Sequence, residues 1–116
     1  METRAITIVM ATIPPEKEEE FNRWYNEDHF QKAVRARGKT GGRRFKIVET
    51  RRINPQADSR TEGMTPFRFM AMYEFDTDDA AEAHLQSDAF KENVAEFTAA
   101  WPESERLVIR AVQIYP

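Results

Sequence analysis

Pro66-Phe67-Arg68-Phe69-Met70-Ala71-Met72-Tyr73-Glu74-Phe75-Asp76 decides the architecture of this chain. It reads as a β-strand because its bulky side chains alternate. Phe67, Phe69, Ala71, Tyr73 and Phe75 share one face, and Arg68, Met70, Met72 and Glu74 share the other. Large apolar groups stand on both faces, so the strand suits a sheet covered on both sides. Arg43 to Ile53 reads as the strand before it, with Phe45 and Ile47 on one face and Arg44, Lys46 and Val48 on the other. Ala5 to Ile13, rich in β-branched residues, is a first strand, and Leu107 to Tyr115 a last one.

Helices fill the two long intervals. Pro14 and Pro15 stop the first strand, and Pro15 suits a first helical turn. Glu16, Glu18, Glu19 and Glu20 favour the positive end of a helix dipole. Phe21, Trp24, Tyr25 and Asp28 or His29 then recur at helical spacing, which predicts a helix from about Pro15 to Glu27 or slightly beyond. In the second interval Thr77 or Asp78 caps a helix through Leu85. Ser87 or Asp88 restarts it for Phe90, Val94, Phe97 and Trp101, and Pro102 ends it. Gly38, Gly41 and Gly42 break the pattern before the second strand. Asn54 to Thr65 is a polar loop, either a lid or a mobile connection.

The order β-α-β-β-α-β is the ferredoxin-like arrangement, an α+β fold in which one antiparallel sheet carries both helices on one side. The helices cover one face only, while the strands are apolar on both. A second copy packed sheet to sheet is the simplest cover, so a homodimer through the sheet faces is expected; a monomer with an open apolar face is the alternative.

Composition bounds the function. The chain has 116 residues, room for a single domain over 1–116 with a radius of gyration of roughly 13 Å. Hydrophobic residues make up 41% and charged residues 32%, an ordinary globular balance. With 17 basic and 20 acidic residues the net charge is −3, which argues against nucleic acid as a partner. Cysteine is absent, which removes disulfides and thiolate chemistry, and His29 and His84 are the only histidines, so no metal site is expected. The apolar run Ala5 to Ile13 is about half of a membrane-spanning helix, and no leader pattern opens the chain; a cytoplasmic protein without membrane partners is expected.

Glu20-Phe21-Asn22-Arg23-Trp24-Tyr25-Asn26-Glu27-Asp28-His29 resembles the first-helix signature F-x-x-W-Y-x-x-x-H of the EthD-like branch of the dimeric α/β-barrel superfamily. Gly41-Gly42-Arg43-Arg44-Phe45 is similar to that group's glycine-then-basic entry into its second strand. Ala83-His84-Leu85-Gln86-Ser87-Asp88-Ala89-Phe90 is similar to its second-helix break. The group often continues H-x-P, whereas Phe30 and Gln31 follow His29 here; without the proline the helix continues further. The resemblance implies a dimeric α/β barrel with His29 at the edge of a cavity between helix and sheet. The superfamily holds cofactor-free monooxygenases, polyketide cyclases, lactone isomerases, dehydratases, decarboxylases and haem-dependent enzymes, so fold alone does not select a reaction.

His29 is the leading chemical group, with Tyr25 four residues before it on the same helical face and Trp24 bordering that face. A helix-capping histidine fits the same pattern. Asp28 points elsewhere on a helix, so an orienting carboxylate would come from Glu49 or Glu74. His84 reads as structural. Lys32, Arg35, Arg37, Lys39, Arg43, Arg44 and Lys46 form a basic run, either an anion-attracting entrance or a solvated edge. Alternation lets Arg43 or Arg44 face inward, not both. Arg68, Glu74 and Arg110 sit on strands that otherwise look buried, at strand ends or in a polar site.

The resulting expectation is an enzyme that needs no cofactor and acts on a small aromatic or polycyclic metabolite. His29 is its general acid or base and Tyr25 its catalytic partner. Phe21, Trp24 and Tyr73 hold the substrate, and Arg43 or Arg44 stabilises oxyanion charge. Isomerase, cyclase or lyase chemistry follows. A non-catalytic, stress-associated dimer that binds hydrophobic ligands is the rival, and a monooxygenase or haem-binding protein of the same fold a second one.

Overall fold

Strand β1 (Ala5–Ala11) and strand β3 (Phe69–Phe75) pair antiparallel at the centre of a four-stranded sheet ordered β2-β3-β1-β4. Strands β2 (Gly42–Lys46) and β4 (Arg106–Val112) form its two edges. The computed structural model describes residues 4–36, 41–51, 53 and 66–115, so the loop 54–65, its expected lid role, Gly38, Arg37 and Lys39 lie outside the described residues. The architecture is the ferredoxin-like one.

The register separates the two faces of the sheet. Ala5, Thr7 and Ala11 of β1 and Phe69, Ala71, Tyr73 and Phe75 of β3 are buried under the helices. Between them stand Ile6, Ile8, Met70 and Met72, half-buried on a face that no helix covers. Leu107 and Ile109 of β4 extend that face, 46% and 37% exposed. The molecule is accordingly a slab only 19 Å thick along its shortest axis, with a radius of gyration of 15.7 Å, above the expected value.

The strands are shorter than the sequence reading, β1 ending at Ala11 instead of Ile13. β2 ends at Lys46, not Ile53, because it has β3 alone as a neighbour; after the Ile47 amide donates to the Arg68 carbonyl, Val48 and Ile53 stand 85% and 90% exposed. β3 starts at Phe69. β4 runs from Arg106 to Val112 because β1 supplies partners only from Ala11 to Ala5; Ile114 and Tyr115 lie beyond that ladder and are exposed.

The first helical segment is longer and less regular than expected. A 3-10 turn (Pro15–Lys17) leads into α1 (Glu18–Trp24), a π-helical turn (Tyr25–His29) and α2 (Phe30–Ala36). No proline follows His29, and the chain stays helical through it. Phe21, Tyr25, His29 and Ala33 are all buried, one every fourth residue. In a regular α-helix each such step overshoots a turn by about 40°, which would rotate Ala33 off the buried stripe. The wider π turn absorbs that drift and keeps the stripe on the sheet.

The second segment is α3 (Asp78–Leu85) and α4 (Asp88–Ala100). The Thr77 hydroxyl accepts from the Ala80 amide at 3.0 Å, and the Ser87 hydroxyl accepts from the Phe90 amide at 3.1 Å while donating to the His84 carbonyl. Phe21, Phe69, Phe97 and Trp101 form an aromatic core between the helices and β3, with ring centroids 5.3–5.8 Å from Phe21.

Candidate functional site

A cleft of about 290 Å³ opens between the first helical segment, α4 and the sheet. Its polar lining is Tyr25, His29, Tyr73, Asn93 and Arg106; Val9, Phe90, Phe97 and Val108 are among its apolar walls. A concave, mostly apolar site with a few convergent polar groups is the usual form of a ligand pocket, and this volume suits one or two rings.

His29 enters the cleft from the π turn. That turn brings residues five apart close to alignment, so the Trp24 indole stacks on the imidazole at 4.9 Å between centroids and 14° between planes. Tyr25 and Phe97 meet the imidazole edge-on at 5.1 and 5.4 Å. His29 is 6% exposed. Its Nδ1 lies 3.5 Å from Glu96 Oε1, at the outer limit of a hydrogen bond. A carboxylate only accepts, so this contact favours the tautomer with the proton on Nδ1 and makes Nε2 the basic nitrogen. The other Glu96 oxygen accepts from Lys32 Nζ at 3.2 Å, and Lys32 also pairs with Asp28 at 3.2 Å. The Glu96 hydrogen bond foremost, then that of Asp28, raises the Lys32 pKa above its ordinary value.

The orienting carboxylate is therefore Glu96 of α4, not Glu49 or Glu74. Glu49 pairs with Arg51 at 2.6 Å, and Glu74 with Arg43 at 3.1 Å on the uncovered face of the sheet. That contact also removes Arg43 from the cleft. Arg44 is the inward member of the pair, yet it does not line the cavity either. Its guanidinium lies 3.9 Å above the centre of the Tyr25 ring and donates to Asn26 Oδ1 at 2.7 Å and Asn22 Oδ1 at 3.1 Å. Burial lowers the Arg44 pKa, against the pull of the Tyr25 and Tyr73 phenols. Arg44 thus ties β2 to the first helix and backs the Tyr25 ring.

Of the remaining expected substrate residues, Tyr73 lines the cleft. Phe21 does not: it is fully buried in the aromatic core. Trp24 stands behind the imidazole instead of in the cavity wall. His84 is buried between Phe75 and Phe90 at 5.8 and 5.6 Å, behind the Phe90 wall and not itself in the cleft lining. Arg68 and Arg110 pair with Glu18 at 3.0 Å and Asp78 at 3.2 Å, outside the cavity. Among the described residues, no three His, Cys, Asp or Glu side chains converge as metal ligands, and no helix is long and apolar enough to cross a membrane.

Three site residues escaped the sequence reading. Glu96 and Asn93 sit on α4, where only its apolar stripe drew notice. Arg106 was missed because the last strand was started one residue late. One signal was available: Arg106, Val108 and Arg110 alternate, so a strand that places Val108 on the helix side places Arg106 there too. Arg106 lies 4.4 Å above the Phe97 ring and donates to the Thr98 hydroxyl and, at 3.4 Å, to the Val94 carbonyl. Burial lowers its pKa, opposed by Tyr25.

A two-layer ferredoxin-like fold with a histidine-lined cleft under its helices defines the class. The family model for the EthD domain matches residues 13–101, and the chain belongs to that family. No curated protein matches the sequence significantly. Among solved structures, an EthD-family protein from Bacillus halodurans C-125 superimposes with a TM-score of 0.65 at 14% identity, covering 98% of this chain and 100% of that one. HapK from Hahella chejuensis gives 0.62 at 10% identity over 97% and 94% of the two chains. A dimeric ferredoxin-like protein of unknown function from Thermobifida fusca YX gives 0.53 at 10% identity over 97% and 93%. At such identities the likeness establishes the fold alone.

Proposed function

We propose that the protein is a homodimeric acid–base enzyme acting on a small aromatic metabolite, with His29 as the proton-transfer group. The observation that carries this reading is the placement of His29 in the wall of an apolar cleft, with the Glu96 carboxylate at Nδ1 and Trp24 stacked behind it. Nε2 takes a proton from a carbon or hydroxyl beside a carbonyl, and the Tyr25 hydroxyl, its ring backed by Arg44, hydrogen-bonds the oxygen on which charge develops. Tyr73 and Phe97 flank the substrate ring. Isomerisation, cyclisation and lyase reactions all begin with such a transfer.

The reading can be tested before the natural substrate is known. A bicyclic aromatic ketone incubated with the protein in deuterated water should exchange its α-hydrogens, followed by proton NMR. His29→Ala should slow that exchange at least about a hundredfold. Exchange at the wild-type rate in this variant, or a ketone that binds and is released unexchanged by the wild type, would sink the proposal; the second result points to a ligand-binding protein.

The homodimer rests on the uncovered sheet face, where Ile6, Ile8, Met70, Met72, Leu107 and Ile109 form a continuous apolar surface. The dimeric ferredoxin-like protein of Thermobifida fusca supports the same assembly. Ile8→Arg, at the centre of this face, should convert a dimer into a monomer in sedimentation equilibrium. A wild-type monomer at micromolar concentration would refute it.

A further inference from the structure

We propose that the ligand of this cleft is a small planar ring bearing a carboxylate, and that Arg106 and Asn93 receive that carboxylate. The inference deepens the acid–base reading of the same cavity, which it takes as its starting point.

It follows from how the sheet compensates its arginines. Arg43, Arg68 and Arg110 each meet a carboxylate, at 3.1, 3.0 and 3.2 Å. Arg44, half-buried at the β2 edge, is capped by the two amide oxygens of Asn22 and Asn26. Arg106 faces the cleft and has neither. Among the described residues it meets a backbone carbonyl at 3.4 Å and the Thr98 hydroxyl, and no carboxylate lies within ion-pair distance. A half-buried cation without a counter-charge favours an anion beside it, and the cleft that Arg106 lines offers room for one.

Asn93 supplies the second observation. Its Nδ2 is buried and has no hydrogen-bond partner among the described residues, although the side chain lines the same cleft. A buried donor left unmade wants an acceptor. The guanidinium and the Asn93 Nδ2 group both donate, so a carboxylate's two oxygens can accept from them while its charge compensates the cation, which a neutral carbonyl does not do. The remaining walls are aromatic or aliphatic, and the volume of about 290 Å³ limits the rest of the ligand to one or two rings.

The test uses the intact protein with 2-naphthoate as probe and 2-naphthamide as its neutral isostere, by calorimetry, with chemical-shift changes at the His29 ring locating the site. Naphthoate should bind at least about tenfold more tightly than naphthamide. Arg106→Gln should remove that preference, and Asn93→Ala should weaken naphthoate by about threefold or more. Because Arg106 also anchors β4 to α4, Asn93→Asp is the second variant: its negative charge in the cleft wall would repel a carboxylate and abolish the preference while Arg106 keeps its contacts to α4. Equal affinities in the wild type, absence of naphthoate binding at millimolar concentration, or a preference that survives Asn93→Asp would each overturn the inference. His29→Ala separates the two readings, since it should stop proton exchange while naphthoate is still preferred over naphthamide. An anion preference with His29-independent exchange would defeat the catalytic reading alone, and His29-dependent exchange without anion preference would defeat this one alone.

Discussion

The two edges of the sheet carry comparable arginines with different fates. Arg44 on β2 and Arg106 on β4 both point toward the helices, both lie over an aromatic ring, and both have pKa values lowered by burial. At the β2 edge the first helix closes over the guanidinium and provides two amide oxygens, so the contact is structural. At the β4 edge α4 offers the guanidinium a hydroxyl and a backbone carbonyl, the cavity lies alongside, and the cation keeps hydrogen-bonding capacity for a ligand. The same residue type in the same layer becomes a brace or a binding group according to what the neighbouring helix offers it.

The largest expected effect lies between the edges, at His29, where replacement by alanine should cost at least about a hundredfold in proton exchange and keep the preference for the anion over its neutral isostere. Next comes the direct contrast. Arg106→Gln should remove an anion preference of about tenfold with a modest loss of stability, whereas Arg44→Gln should leave the preference and destabilise the fold by about 1.5–3 kcal/mol, read by urea denaturation. A reversed pattern would mean that the roles of the two edges have been exchanged.

Gly42 sharpens the closed edge. A Cβ there would stand 3.0 Å from the Tyr73 ring, 3.1 Å from Val34 and 3.2 Å from Phe30, so α2 approaches β2 only because this residue is glycine. Gly42→Ala should cost about 1–3 kcal/mol in the same denaturation assay and disturb Tyr73, whose ring stacks on Phe30 at 5.7 Å and lines the cleft.

The smallest effect concerns Lys32, whose pKa is raised by Glu96 and Asp28. A group with a raised folded-state pKa contributes its stability fully below the ordinary lysine value of 10.5 and loses it as pH rises through the higher folded value. Lys32→Met should therefore melt slightly below wild type at pH 7 to 9, and the gap should close in more alkaline buffer. A constant gap would show that Lys32 acts through packing, not charge.

Local signals in the chain were enough for the secondary structure and for part of the site. Alternation in Phe69 to Phe75, the Thr77 and Ser87 caps, and the helical spacing through His29 each depend on residues within a turn or two of one another. The same alternation revealed a sheet with two apolar faces and restricted one of Arg43 and Arg44 to the helix side. It could not say which, because the answer depends on pairing between Arg44 and Ala71, far apart in the chain. Nor could helical spacing of 3.6 place Trp24 on His29, since their stack exists only through the π turn.

What the sequence by itself determined is the fold class and the uncovered sheet face, which follow from periodicity, and it singled out His29 as the candidate group from the supply of histidines and a motif confined to one helix. Only the tertiary structure decided what surrounds that histidine. Glu96 reaches it across 67 positions of chain, and Arg106 reaches the cleft from the opposite edge strand. Such contacts are set by the packing of α4 against the first helix and by the β1–β4 register. A side chain's charge is written in the sequence; whether that charge is compensated depends on which distant segment the fold brings beside it.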